Sequence, residues 1–202
     1  MCIMIIQALP AILILAALIL MGCNVYGSDS GGGGRTVTMH GQPLTLEGKA
    51  LKVGDEAPAF TAVANDLSTY KFNPKSGQIW ILAAVPSLDT SVCSTETRRF
   101  NQEATKLSDN VKIVTISMDL PFAQKRWCGA EGVKNVQTIS DYRDREFGQD
   151  YGVKIKEIGL LARSVFVVDK SGKIVYMQIV PELTQEPDYA SALAAARKAA
   201  GQ

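Results

Sequence analysis

Apolar and polar positions along this chain fall into short blocks whose period switches repeatedly between two and about 3.6 residues. Ile79 to Val85 is almost wholly apolar, which predicts a strand buried on both faces. Thr90 to Leu107 has helical spacing, with Val92, Phe100, Ala104 and Leu107 on one side and Arg98, Arg99, Glu103 and Lys106 among the polar positions. Val111 to Met118 reads as a second core strand, and Pro121 suits the first turn of a helix carrying Trp127 and Cys128. A short strand is expected over Val136 to Ile139 and a helix over Arg143 to Tyr151. Ser164 to Asp169 and Lys173 to Val180 predict strands around the turn Lys170-Ser171-Gly172, and Asp188 can cap a last, alanine-rich helix from Tyr189 to Ala200. Upstream, Arg35–Met39 and Pro43–Leu46 flank His40-Gly41-Gln42 as a short β-hairpin. A turn-rich lead-in, Val53 to Phe60, precedes an extended stretch over Thr61 to Asn65. The alternation predicts a layered α/β domain with an N-terminal hairpin.

The first 34 residues have a different composition. Ile3 to Gly22 is nearly unbroken hydrocarbon, interrupted by Gln7 and Pro10, and the first charged side chain is Asp29. Such a run fits a membrane span or the apolar core of an export signal. Leu20-Met21-Gly22-Cys23 resembles the box at which bacterial lipoproteins are cleaved, which makes Cys23 the expected lipid-attachment residue. Asn24 to Gly34 is polar and ends in four glycines, as a flexible tether would. The expected organisation is a leader over 1–22, a lipid site and tether over 23–34, and one domain over 35–202. On this reading the protein is exported and held on a membrane, on the periplasmic or cell-surface side, through two acyl chains.

Composition narrows the chemistry. Apolar residues make up 47% of the chain, enough for a proper core, and a net charge of +1 gives no electrostatic case for nucleic acid. Of the four cysteines, Cys2 and Cys23 belong to the leader region, leaving Cys93 and Cys128 in the domain. Cys93 falls where the strand ending at Val85 gives way to the helix beginning near Ser91. A thiol there meets the positive end of the helix dipole and backbone N–H groups without intrahelical partners, surroundings that suit a nucleophilic thiolate. An exported domain with a single cysteine pair also invites a fixed disulfide, so redox enzyme and structural brace both stand at this point.

Motifs favour the first. Pro86-Ser87-Leu88-Asp89-Thr90-Ser91-Val92-Cys93 resembles the peroxiredoxin pattern, a proline and a threonine at set distances before the reactive cysteine. Asp119-Leu120-Pro121-Phe122-Ala123-Gln124 and Arg126-Trp127-Cys128-Gly129 look like the resolving-cysteine helix of the thiol peroxidase branch, the atypical two-cysteine peroxiredoxins. Leu161-Ala162-Arg163-Ser164 resembles the segment with that family's active-site arginine, and Glu186-Pro187-Asp188-Tyr189 its entry to the last helix. The similarity runs from Arg35 to Ala200. It implies a thioredoxin-like fold, Cys93 as peroxidatic and Cys128 as resolving cysteine, with Thr90, Arg163 and Pro86 completing the site. It further implies a hydroperoxide substrate, a thioredoxin or thioredoxin-like reductant, a homodimer, and no cofactor or metal. The alternative from another class is a non-enzymatic exported module braced by a Cys93–Cys128 disulfide.

Other residues carry less. Trp127 reads as a packing anchor, and His40, the only histidine, as solvated surface in the hairpin turn. Arg98 is a weaker candidate for orienting the site. Glu96, at i+3 from Cys93 on a helix, can approach the sulfur and oppose its ionisation, pair with an arginine, or face solvent. No Cys-x-x-Cys, zinc-like His/Cys cluster or nucleotide-binding glycine motif occurs.

Overall fold

The computed structural model describes residues 34–202. The leader expected over 1–22, Cys23 and, Gly34 apart, the tether lie outside the described residues. The strands are β1 (Thr36–Met39), β2 (Gln42–Glu47), β3 (Phe60–Ala64), β4 (Thr69–Phe72), β5 (Ile79–Ala84), β6 (Val111–Ser117), β7 (Gln137–Ser140), β8 (Lys154–Ile155), β9 (Ser164–Val168) and β10 (Ile174–Ile179). The helices are α1 (Ser91–Ala104), α2 (Pro121–Glu131), α3 (Glu146–Asp150) and α4 (Tyr189–Ala200). Among the described residues no helix is long and apolar enough to cross a membrane.

Seven strands form one sheet in the order β10-β9-β5-β6-β7-β3-β4, with β5, β6 and β7 parallel and the outer pairs antiparallel. The all-apolar β5 sits in its middle, and alternation of its side chains builds two cores. Ile79, Ile81, Ala83 and Val85 pack with residues of α1, α2 and α4, whereas Leu82 and Ala84 pack with α3 and the N-terminal strands. Both faces being covered explains the unbroken apolar run.

The hairpin of β1 and β2 forms as expected, with His40 and Gly41 at φ 51° and 76°, the left-handed pair of a two-residue turn. β8 adds to β2 to complete a small three-stranded sheet. Neither β8 nor β4 is foreseen by the sequence reading. The turn into β4 carries Leu67 at φ 70°, an unusual residue for that conformation, supported by the Ser68 N–H donating to Asp66 Oδ1 at 3.0 Å. The helix expected over Arg143 to Tyr151 shortens to α3, because Arg145 is left-handed at φ 58°. Asp141 accepts there from the N–H groups of Phe147 and Gly148 at 3.1 and 2.8 Å, and burial pushes its carboxyl up to about 6.

The largest departure concerns α1. The residues it buries are Cys93, Glu96, Thr97 and Phe100, so the face turned inward is mostly polar. Apolar spacing places Val92 on that side, yet Val92 is only partly buried. A helix whose inner face is mostly polar breaks the rule that the apolar stripe marks the inside.

Candidate active site

β5 runs out at Ala84, and the chain crosses Pro86 to Thr90 before α1 starts. This places the first turn of α1 at the carboxyl end of a central parallel strand, the usual position for a site in open α/β sheets. Pro86 is buried at the junction. Cys93, third residue of α1, is fully buried among Val85, Leu88 and Phe100 of the core on that face.

Thr90 is the residue before the helix, extended at φ −100° and ψ 147°, but its side chain caps none of the helix N–H groups. Its Oγ1 lies 2.8 Å from Cys93 Sγ and 3.0 Å from the Ser87 carbonyl. A hydroxyl has one hydrogen. With a neutral thiol, S–H donates to Oγ1 and Oγ1–H donates to Ser87; with a thiolate, Oγ1–H turns to the sulfur. The same geometry therefore serves both protonation states.

Arg163, just before β9, comes to the other side of the sulfur, its Nη2 donating to Cys93 Sγ at 3.3 Å. Its residue is 1% exposed, so the charge must be met by fixed partners. Nε and Nη2 both donate to the Leu183 carbonyl, at 3.1 and 2.9 Å, and Nη1 donates to Glu96 Oε2 at 2.5 Å. Burial works against the guanidinium charge, but Glu96 and Cys93 hold it above the ordinary arginine range. Glu96 is itself fully buried. Burial pushes its carboxyl up to about 7, against the opposing pull of Arg163, and its Oε1 has no hydrogen-bond partner.

Cys128 occupies a separate setting on α2. It is half-buried, with Sγ 3.2 Å from Thr138 Oγ1, and Thr138 in turn accepts from Asn65 Nδ2 at 2.7 Å. Burial pushes the thiol up, with the Thr138 hydrogen bond opposing. Asn65, Cys128, Val133 and Thr138 line a surface cavity of about 390 Å³. Both cysteines are free thiols. Between their segments, Asp119 accepts from Ser87 Oγ at 2.7 Å and from the Leu88 N–H at 2.8 Å, tying the loop before α1 to the residue that precedes Leu120 and α2.

The structure thus brings Cys93, Thr90 and Arg163 together, with Pro86 buried at the same junction. Arg98 is not among them: it points outward and pairs with Glu131 at 2.7 Å, five residues along the helix and on another face. Glu96 neither faces solvent nor stands as an isolated charge, since Arg163 takes it up. Trp127 is a buried packing residue.

Known proteins resemble this chain over most of its length. The family described as Redoxin matches residues 52–193. A thiol peroxidase of Listeria monocytogenes is 54% identical over 163 residues, covering 81% of this chain and 98% of the relative. The chain belongs to the thiol peroxidases of the peroxiredoxin family. A thiol peroxidase of Bacillus subtilis is 52% identical over 161 residues, covering 80% of this chain and 96% of its own. The crystal structure of a peroxiredoxin-like protein from Aquifex aeolicus superposes with a TM-score of 0.78 at 43% identity, covering 82% of this chain and 97% of that one. The α/β fold is accordingly the thioredoxin-like one of peroxiredoxins.

Reading the sequence missed several parts of this thiol peroxidase's site. The Leu183 carbonyl leaves no trace in a side-chain pattern. Ser87 and Asp119 lie inside motifs that carry the family resemblance, but nothing in their spacing, 32 residues apart, says that they meet. Thr138 and Asn65 are polar residues of a strand and its neighbouring loop, brought to Cys128 by the β3–β7 pairing.

Proposed function

We propose that the chain reduces hydroperoxides with Cys93 as nucleophile. The observation that carries this reading is the pair of donors converging on one buried sulfur, Thr90 Oγ1 at 2.8 Å and Arg163 Nη2 at 3.3 Å. The thiolate attacks the terminal peroxide oxygen, the S–O bond forms as the O–O bond breaks, and the departing oxygen takes a proton to leave as water or an alcohol. Arg163 supplies fixed positive charge where negative charge moves from sulfur to oxygen, at no reorganisation cost because its fork is already held. Pro86 closes the junction against water.

The product is a sulfenic acid on Cys93. Cys128 thiol condenses with it, forming the intramolecular disulfide and releasing water, and a thioredoxin-type dithiol restores both thiols. Cys128 rests on Thr138 in the structure, while Cys93 rests on Thr90 and Arg163, so the sulfurs have to leave these partners to bond. Disulfide geometry needs Cα atoms within about 7 Å, and local unwinding of one or both cysteine segments supplies the approach. Brief peroxide treatment of the Cys128→Ser variant should label Cys93 with a sulfenic-acid probe. A fixed brace would show no fast labelling and would lose stability, not turnover, when the pair is broken.

The finer parts of the reading concern assembly and place. The enzyme works as a homodimer, exported and anchored through lipid on Cys23, with membrane-derived organic hydroperoxides within reach of the tether. The box Leu20-Met21-Gly22-Cys23 supports the anchor. Mass spectrometry of the mature N-terminus tests it, a diacylated Cys23 being expected and an intact Met1 overturning it. Light scattering of the soluble domain tests the dimer.

A further inference from the structure

The loop that presents Cys93 and the helix that carries Cys128 are joined by one carboxylate. Asp119 Oδ1 accepts from Ser87 Oγ at 2.7 Å, and Oδ2 accepts from the Leu88 N–H and from Ser117 Oγ, both at 2.8 Å. The backbone of Asp119 is also fixed, its carbonyl accepting from Ser140 Oγ at 2.5 Å. On one side the chain of contacts continues to the peroxidatic sulfur. Ser87 offers its carbonyl to the Thr90 N–H at 3.1 Å and to Thr90 Oγ1 at 3.0 Å, and Thr90 touches Cys93 Sγ. On the other side Asp119 precedes Leu120, whose carbonyl accepts from the Ala123 and Gln124 N–H groups that open α2. Gln124, on that first turn, donates to Ser117 Oγ at 2.9 Å and to the Ile139 carbonyl at 2.8 Å.

We propose that Asp119 is a positioning residue that couples the two cysteine segments, so that the Cys93 loop and the start of α2 are held together and released together. This rests on the reading of Cys93 as peroxidatic and Cys128 as resolving cysteine. The two half-reactions place opposite demands on the latch. Attack on peroxide, in which the S–O bond forms as the O–O bond breaks, needs Thr90 and Cys93 held still. Condensation, in which Cys128 S–H and Cys93 S–OH give the S–S bond and water, needs both segments free. Two ion pairs also run between the segments, Arg126 with Asp89 at 3.9 Å and Arg98 of α1 with Glu131 of α2 at 2.7 Å, but both lie at the surface, the first with side chains 72% and 63% exposed, and hold little. The short, partly buried, charge-assisted bonds of Asp119 are the stronger ones.

Rapid mixing of the reduced full chain with hydrogen peroxide tests the coupling. Trp127 and Trp80 are the only tryptophans, so a Trp80→Phe background leaves fluorescence from the residue beside Cys128, and acid quenching with mass analysis separates sulfenic acid from disulfide. In Asp119→Ala the first step should slow and the second should quicken, each by about tenfold, the size of losing a charge-assisted hydrogen bond. Ser87→Ala, which removes the bond to Asp119 and the longer one accepted from the Asp89 N–H at 3.3 Å but leaves Leu88 in place, should move both rates the same way but less. In the double variant the Ser87 change should add almost nothing to Asp119→Ala. Two wild-type rates in either variant, or both steps slowing together, overturn the coupling while leaving the cysteine roles intact. If the unsubstituted enzyme gives no sulfenic acid and no disulfide, the cysteine roles fall and the coupling with them.

Discussion

Thr90 stands at the N-terminus of α1 with its hydroxyl 2.8 Å from Cys93 Sγ, and that hydroxyl caps no backbone N–H of the helix. A threonine in this position ordinarily caps, contributing about 1 kcal/mol. Here the side chain is spent on the sulfur.

Thr90→Val should therefore cost activity and leave stability nearly untouched. The expected loss in the rate with peroxide is about a hundredfold, as for removal of one donor aimed at a reacting centre. Thr90→Ser should keep most of the rate. Stopped-flow kinetics beside thermal unfolding checks both; a Val variant that loses stability and keeps its rate would assign Thr90 to the fold alone.

Arg163 should be irreplaceable by lysine. Its three nitrogens reach the Leu183 carbonyl, Glu96 and Cys93 at once, and one ammonium on a flexible stem cannot. Arg163→Lys is expected to lower the peroxide rate by about a hundredfold. Arg163→Met should in addition destabilise the fold by about 3 kcal/mol, because Glu96 is left buried without its partner. Chemical denaturation of both variants measures the second effect.

The stability of this pair should depend on pH in a definite direction. Burial raises the Glu96 carboxyl from 4.5 to about 7, so the folded state binds its proton more tightly than the unfolded chain does. Its contribution is then fully present below about 4.5 and is lost as pH rises through about 7. Glu96→Gln keeps an acceptor for Arg163 and cannot ionise, so the stability of the variant relative to wild type should rise across that window, by about 3 kcal/mol. Urea titrations at pH 4.5 and 8 decide it; a constant difference would mean that Glu96 titrates alike in both states.

Cys128 should alkylate slowly at neutral pH and faster under alkaline conditions, since burial raises its thiol above the usual 9.0. Site-resolved mass spectrometry after brief iodoacetamide treatment follows this in a Cys93→Ser background. Thr138→Val removes the opposing hydrogen bond and should slow the reaction further at a given pH.

Central elements of the fold were legible because their periods were clear. β5 is apolar throughout, α4 is alanine-rich with Asp188 accepting from the Ser191 N–H at 3.0 Å, and Pro121 opens α2. What escaped had a physical reason in each case. β4 follows a turn built on Leu67, and β8 is two residues long and exists by pairing with β2. The inner face of α1 escapes an apolar-stripe reading because it holds Cys93, Glu96 and Thr97, mostly polar groups that are nonetheless buried. Cys93, Thr90 and Arg163 could be singled out through resemblance, but Arg163's support could not. A backbone carbonyl at Leu183 has no signature, and Glu96 was visible only as a charge of uncertain direction.

The Leu183 carbonyl that carries Arg163 belongs to a segment stitched to β1: the Leu183 N–H donates to the Thr38 carbonyl at 2.8 Å, and the Thr38 N–H donates to Pro181 at 2.7 Å. Cutting away the hairpin should therefore loosen the carbonyl beneath Arg163 and lower activity without deleting any side chain that touches Cys93.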